Sequence, residues 1–262
     1  MGNQSIRWVC LLAAVMVFVG CQEQRKGRQT DSPPVTAGVP VDEHAAAALE
    51  VTGGLDAWKQ AATMDLSVVA VYYRSDGSSY LTEHAVALQP WASAVTISSK
   101  EPLGPCRWDL AGGRFATTEG DPRQDVSGRQ VSPRDVAEAV LLLATAPVRM
   151  LDSRARFEPV PDAVKLEGVW YERRSRTVIP DPEEKDPIDP YWASVVFYQS
   201  RAKGRVDTIM LTGGHDNAML AVRGFDYIPA PGARAMVPTK IEIYRTDDRG
   251  DIKQRLVQLD MR

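Results

Sequence analysis

Cysteine is scarce in this chain: three in 262 residues, at Cys10, Cys21 and Cys106. Three thiols are too few for a disulfide-dense scaffold or a four-thiolate zinc site. Aromatic residues make up only 7%. The 31 Lys/Arg and 34 Asp/Glu are mixed along the chain, with a net charge of −3 and no basic block long enough to follow a phosphate backbone. Nucleic acid is therefore not an expected partner. The hydrolase signatures GxSxG and HExxH are both missing. Long apolar runs are missing too: Val9–Val19 is unbroken, but at eleven residues it falls short of the roughly 20 needed to span a bilayer as a helix. What is present, 44% apolar and 25% charged residues, is the composition of a globular protein. The length allows one sizeable core or two small ones.

The N-terminus changes character at one residue. Met1–Trp8 carries a single cation, Arg7, and the apolar run that follows has the length of a secretory h-region. Gly20 supplies the small residue a signal peptidase needs, and from Gln22 the chain is polar. Phe18-Val19-Gly20-Cys21 resembles the lipobox of bacterial lipoproteins, with Phe18 where that family usually has Leu. The resemblance implies that residues 1–20 are a lipoprotein signal peptide, that the Cys21 thiol receives a diacylglycerol, and that the new amino terminus is acylated. The partner would then be a membrane, held through the lipid anchor at about 0.8 kcal/mol per buried methylene. An uncleaved anchor helix and an ordinary signal peptide are the competing readings. N-myristoylation is disfavoured, because Ile6 stands where that motif needs Ser or Thr. Residues 21–41 carry Pro33, Pro34 and Pro40 without an apolar period, which predicts a flexible tether. With Cys10 removed and Cys21 used, Cys106 stands alone and reads as a small buried hydrophobe.

From Asp42 onward the pattern is that of one α+β domain, residues 42–262. Asp42 is a plausible N-cap for an alanine-rich helix over Glu43–Val51, and Gly53-Gly54 separates it from a second helix over Leu55–Ala62. Strands are expected at Leu66–Tyr73, Ser79–Leu88, Ala92–Ser99, Arg107–Leu110 and Arg114–Thr118, joined by short turns, hence antiparallel. Ser132-Pro133-Arg134-Asp135 opens a helix, with Ser as the cap and Pro at the first position. Val136, Val140 and Leu143 share one face of it, Leu141 and Leu142 widen the apolar surface, and Pro147 should bend or end it. Strands return at Ala163–Leu166, Val169–Arg174, Ala193–Gln199, Val206–Leu211, Lys240–Arg245 and Ile252–Met261. Thr177–Pro190, with four prolines and many acids, predicts an exposed loop.

Three phrases carry a second resemblance: Ala48-Leu49-Glu50-Val51-Thr52-Gly53-Gly54-Leu55-Asp56-Ala57-Trp58-Lys59; Gly168-Val169-Trp170-Tyr171 followed by the hairpin at Lys203-Gly204; and Met236-Val237-Pro238-Thr239-Lys240-Ile241-Glu242-Ile243-Tyr244. Together with the element order they resemble LolA/LolB-like envelope proteins. The resemblance implies a half-open β-barrel, a strongly curved antiparallel sheet wrapped around a central helix. In the lipoprotein carriers of that family the concave face takes up acyl chains. By the same resemblance the Val136–Leu143 helix would lie inside the curve as part of a lid. Val136, Val140, Leu143, Trp108 and Trp170 are the candidate lining residues, and a lipid or lipoprotein acyl chain is the candidate ligand.

Catalytic chemistry is thinly represented. The three histidines are His44 on the first helix, His84 in a strand and His215 in Gly213-Gly214-His215-Asp216-Asn217. That phrase is either a general-base or metal loop or, more simply, a polar turn. The acidic run Asp181–Asp186 lacks the glycine and ligand spacing of a calcium loop and reads as a solvated loop. Trp58, Trp91, Trp108, Trp170 and Trp192 could line a ligand surface or simply fill a core. No cofactor is implied. The expectation is a non-enzymatic, membrane-anchored envelope lipoprotein that binds an apolar ligand and faces the periplasm. The alternatives are a scaffold lipoprotein with a filled core and, behind it, a hydrolase using His215 and Asp216.

Overall fold

The computed structural model describes residues 42–101, 104–119, 130–179 and 190–262. The expected signal peptide 1–20, Cys21, the expected tether and the acidic run 181–186 lie outside these residues. None of the described helices is long and apolar enough to cross a membrane.

Twelve strands form one antiparallel sheet. The first meander is β1 (Met64–Tyr73), β2 (Ser79–Gln89), β3 (Ala94–Glu101), β4 (Gly104–Ala111) and β5 (Arg114–Glu119). The second is β6 (Ala155–Leu166), β7 (Val169–Val178), β8 (Trp192–Ser200), β9 (Val206–Gly213), β10 (Ala218–Pro229), β11 (Met236–Thr246) and β12 (Ile252–Met261). Pairing of β1 with β12 joins them, giving the order β5-β4-β3-β2-β1-β12-β11-β10-β9-β8-β7-β6. The two edges, β5 and β6, do not pair, so the curved sheet stays open.

Alternation decides which face is buried. In β1, Met64, Leu66, Val68, Ala70 and Tyr72 are buried and the residues between them are more exposed. The antiparallel register passes this face to Val86 and Leu88 of β2, to Ile97 and Val95 of β3, and to Trp108 and Leu110 of β4. In the other direction it reaches Leu259 and Val257 of β12 and Ile241 and Ile243 of β11. A one-residue slip would turn the whole set to solvent, so the pattern itself pins the register.

Against this inner face lies α3 (Pro133–Ala144). Its start follows from local chemistry: Ser132 Oγ accepts from the Asp135 backbone N–H, and the Asp135 carboxylate accepts from the Ser132 N–H, a reciprocal capping box with Pro133 in the first turn. Asp135 to Ala144 are all buried. Such burial is worth roughly 1.5–3 kcal/mol for each large apolar side chain. The helix ends at Thr145, and Pro147 stands in the first turn of the short α4 (Ala146–Arg149), where its missing N–H leaves no helical bond unmade. α1 (Glu43–Glu50) and α2 (Gly54–Gln60) join the core through Ala45, Ala48, Leu49 and Trp58. Trp58 ties them down: its indole N–H donates to Thr52 Oγ1 at 3.1 Å, and its carbonyl accepts from Trp91 Nε1 at 2.7 Å.

Two strands depart from expectation. β10 shows no strand pattern in the sequence, because Arg223, Gly224, Asp226 and Pro229 interrupt its alternation, yet neighbours on both sides pair with it. β6 begins eight residues before the predicted Ala163, through Pro159 and Pro161. Being an edge strand, it has a side on which a missing N–H leaves no ladder bond unmade.

Candidate functional site

The inner face and its helix are the natural place for a ligand. Val136, Val140 and Leu143 are each 1% exposed, and Trp108 is 2% exposed. All four belong to the main core cluster, so α3 fills the curve on this side. Gly224 permits the close seat: a Cβ there would come within 3.2 Å of Leu143 Cδ2 and 2.7 Å of the Tyr227 hydroxyl. Trp108 packs beside His84, ring centroids 5.5 Å apart, and His84 Nε2 lies 3.0 Å from the Tyr72 hydroxyl. The structure separates Trp170 from the other four candidates. It is 48% exposed on β7, next to the edge strand, and does not join the core cluster.

The other flank of α3 is charged. Arg134 and Glu138 stand one turn apart, with Nε and Oε1 separated by 3.7 Å. Burial pushes the Glu138 carboxyl up to about 7, against the pull of Arg134 and of Arg176 on β7. Arg149 of α4 is 3% exposed and sits 3.7 Å from the Asp152 carboxylate. Burial also lowers the Arg149 pKa, to about 10. Sequence reasoning missed this group. The spacing of Arg134 and Glu138 was its one local signal, and on a helix that reads as an ordinary surface pair.

A cleft of about 690 Å³ opens at the N-terminal end of α3, lined by residues including Ser132, Asp135, Asp216, Asn217, Thr246 and Asp248. The Gly213–Asn217 phrase thus reaches a cavity, through a short 3-10 turn at His215–Asn217. Its Gly214 is structural, because a Cβ would meet the Trp192 ring at 2.6 Å. Ser132 in the cleft is engaged as the helix cap. His84 lies on β2, and His44 holds Gln199 Oε1 through Nδ1 at 3.1 Å on α1. Neither lines the cleft. Among the described residues no group of three or more His, Cys, Asp or Glu could hold a metal. Cys106 is buried.

No protein-family model matches the chain, and no curated protein matches it. Among solved structures it is similar to a LolA-superfamily protein from Nitrosomonas europaea, at 13% identity over 86% of this chain and 92% of that one, with TM-score 0.51. A putative outer-membrane lipoprotein-sorting domain from Vibrio parahaemolyticus is 9% identical over 83% of this chain and 91% of its own, with TM-score 0.41. A DUF1329-family protein from Desulfovibrio piger is also 9% identical, over 86% and 92%, with TM-score 0.41. The last two likenesses are too loose to carry an argument. An open, antiparallel, twelve-stranded curved sheet around a central helix is the fold this chain shares with the LolA-superfamily protein.

Proposed function

We propose that this chain is a bacterial envelope lipoprotein, anchored through a lipid on Cys21, whose curved sheet takes up an acyl chain or another apolar ligand on its inner face without catalysing a reaction. One observation carries the reading: an open sheet whose apolar inner face is packed against the short helix α3, with ten residues in a row buried. Withdrawal of that helix would expose a continuous apolar trough of the kind that suits a hydrocarbon chain. The lipobox-like Phe18–Cys21 supports export and anchoring to the cell membrane or outer membrane. Metabolic labelling with a radioactive fatty acid tests the anchor: the label enters the wild-type protein and is lost in Cys21→Ser.

The same packing favours a second reading, an envelope scaffold whose core is filled and takes no ligand, since Val136, Val140, Leu143 and Trp108 are all essentially inaccessible. Titration of delipidated, refolded protein with a fluorescent fatty acid separates the two. Saturable binding at one site per chain supports the carrier-like reading. Absence of binding at micromolar probe leaves the scaffold.

A further inference from the structure

The charged flank of α3 holds more positive charge than its own carboxylates neutralise. Arg134 donates from Nη2 to the Gly113 carbonyl at 2.9 Å, and its guanidinium stacks 3.9 Å above the Tyr191 ring. Arg149 donates from Nη2 to the Pro90 carbonyl. Arg176 stands on the inner face of β7, in register with Val195 of β8, and acts electrostatically on both Glu138 and Arg149. Arg134, Arg149 and Arg176 each keep a buried Nε–H with no hydrogen-bond acceptor among the described residues. Buried donors of this kind are normally satisfied.

The local anions do not make up the difference. Asp152 faces Arg149 and, further out, Arg154. Asp135 is turned to the helix start, where its carboxylate accepts from the Ser132 N–H at 2.9 Å and from the Tyr191 hydroxyl at 2.7 Å. Glu138 is the carboxylate that faces Arg134, and it shares Arg176 with Asp152. At 3.7 Å its contact with Arg134 Nε is an ion pair and not a hydrogen bond. With its pKa raised to about 7, it carries only part of a charge at neutral pH. Two guanidinium groups around one carboxylate, each lacking an acceptor at Nε among the described residues, suit a planar or tetrahedral oxyanion, which Arg binds through paired N–H donors.

We propose that Arg134 and Arg176, the two guanidinium groups that face Glu138, form a receptor for the anionic head group, carboxylate or phosphate, of an amphipathic ligand, and that the ligand's anion displaces the Glu138 side chain. The approach is at Arg134, which retains 26% of its side-chain exposure. Apolar surface adjoins it: Phe157 of β6 pairs with Arg176, and its ring meets Phe197 of β8 edge-on at 5.4 Å. The head group would be held at the charged flank and the chain directed toward these rings. The acyl part of this proposal rests on the function proposed above; the anion site does not.

The test uses the full chain and two probes, dansyl-undecanoic acid and its uncharged methyl ester. The acid is expected to bind at least about tenfold tighter than the ester, as charge-assisted hydrogen bonds imply. Arg176→Gln should remove about tenfold from the acid and leave the ester unchanged. Glu138→Gln should tighten the acid several-fold, a gain that damage to the fold would not produce. Inorganic phosphate that competes with the acid assigns a phosphate head, and failure to compete assigns a carboxylate; both support the site. Equal affinity for acid and ester, in wild type and variants alike, overturns the anion receptor while leaving acyl uptake standing. If neither probe binds, the acyl reading fails, and calorimetry with inorganic phosphate alone decides the site. Binding that is lost in Arg176→Gln retains it, and no heat of binding overturns it.

Discussion

The two flanks of α3 are built on opposite principles. One presents Val136, Val140 and Leu143 to a sheet face of aliphatic and aromatic side chains and is dry. The other presents Arg134 and Glu138 to Arg176 on a strand next to the open edge of the sheet. Apolar packing tolerates no gap and has many partners, so the first flank fixes where the helix sits. Charged groups in a half-buried slot are held by few contacts and leave donors unmade, so the second flank is where the assembly has something to gain from a ligand. A sheet closed on both sides would have no such asymmetry. Here β5 and β6 leave one side unpaired, and the charges lie toward it.

The largest expected effect comes from the dry flank. Leu143 is 1% exposed and packs where Gly224 has no side chain, so Leu143→Ala opens a cavity that its neighbours cannot readily close. We expect it to cost about 2–5 kcal/mol, read as a lower denaturant midpoint at unchanged slope. A cost under about 1 kcal/mol would break the comparison. It would mean that α3 is only loosely seated on its apolar side too, and that the helix lifts as a whole.

This flank was also the legible one. Val136, Val140 and Leu143 share a helical face by spacing alone, and Ser132–Asp135 announces the cap, because both are local signals between residues a few positions apart. The hairpins of β1–β5 were readable for the same reason. β10 was not, since Arg223, Gly224 and Asp226 break its period, and its place in the sheet comes from β9 and β11 pairing with it. Trp170 looked like a lining residue because its phrase matched a family pattern, but near the start of β7, next to the edge strand, it is left 48% exposed. The charged flank was hidden by distance. Arg176 meets Glu138 only after the chain has passed through α4 and β6, and no spacing rule connects them.

The smaller effect belongs to the charged flank and is read against pH. Burial raises the Glu138 carboxyl from 4.5 to about 7, so the fold prefers it protonated. Arg134 from its own helix and Arg176 from β7 pull the other way, and Asp135 adds to the rise. The stability this group contributes is therefore whole below pH 4.5 and is lost as pH climbs through about 7. The loss is at most about 3 kcal/mol, less where arginines and water rearrange around the charge. Glu138→Gln keeps the neutral form at every pH. Its unfolding free energy should match wild type near pH 4.5 and exceed it at pH 8, with the gap opening between those values. Parallel profiles from pH 5 to 8 would show that the two arginines already hold Glu138 ionised, and the charged flank would then be as closed as the dry one.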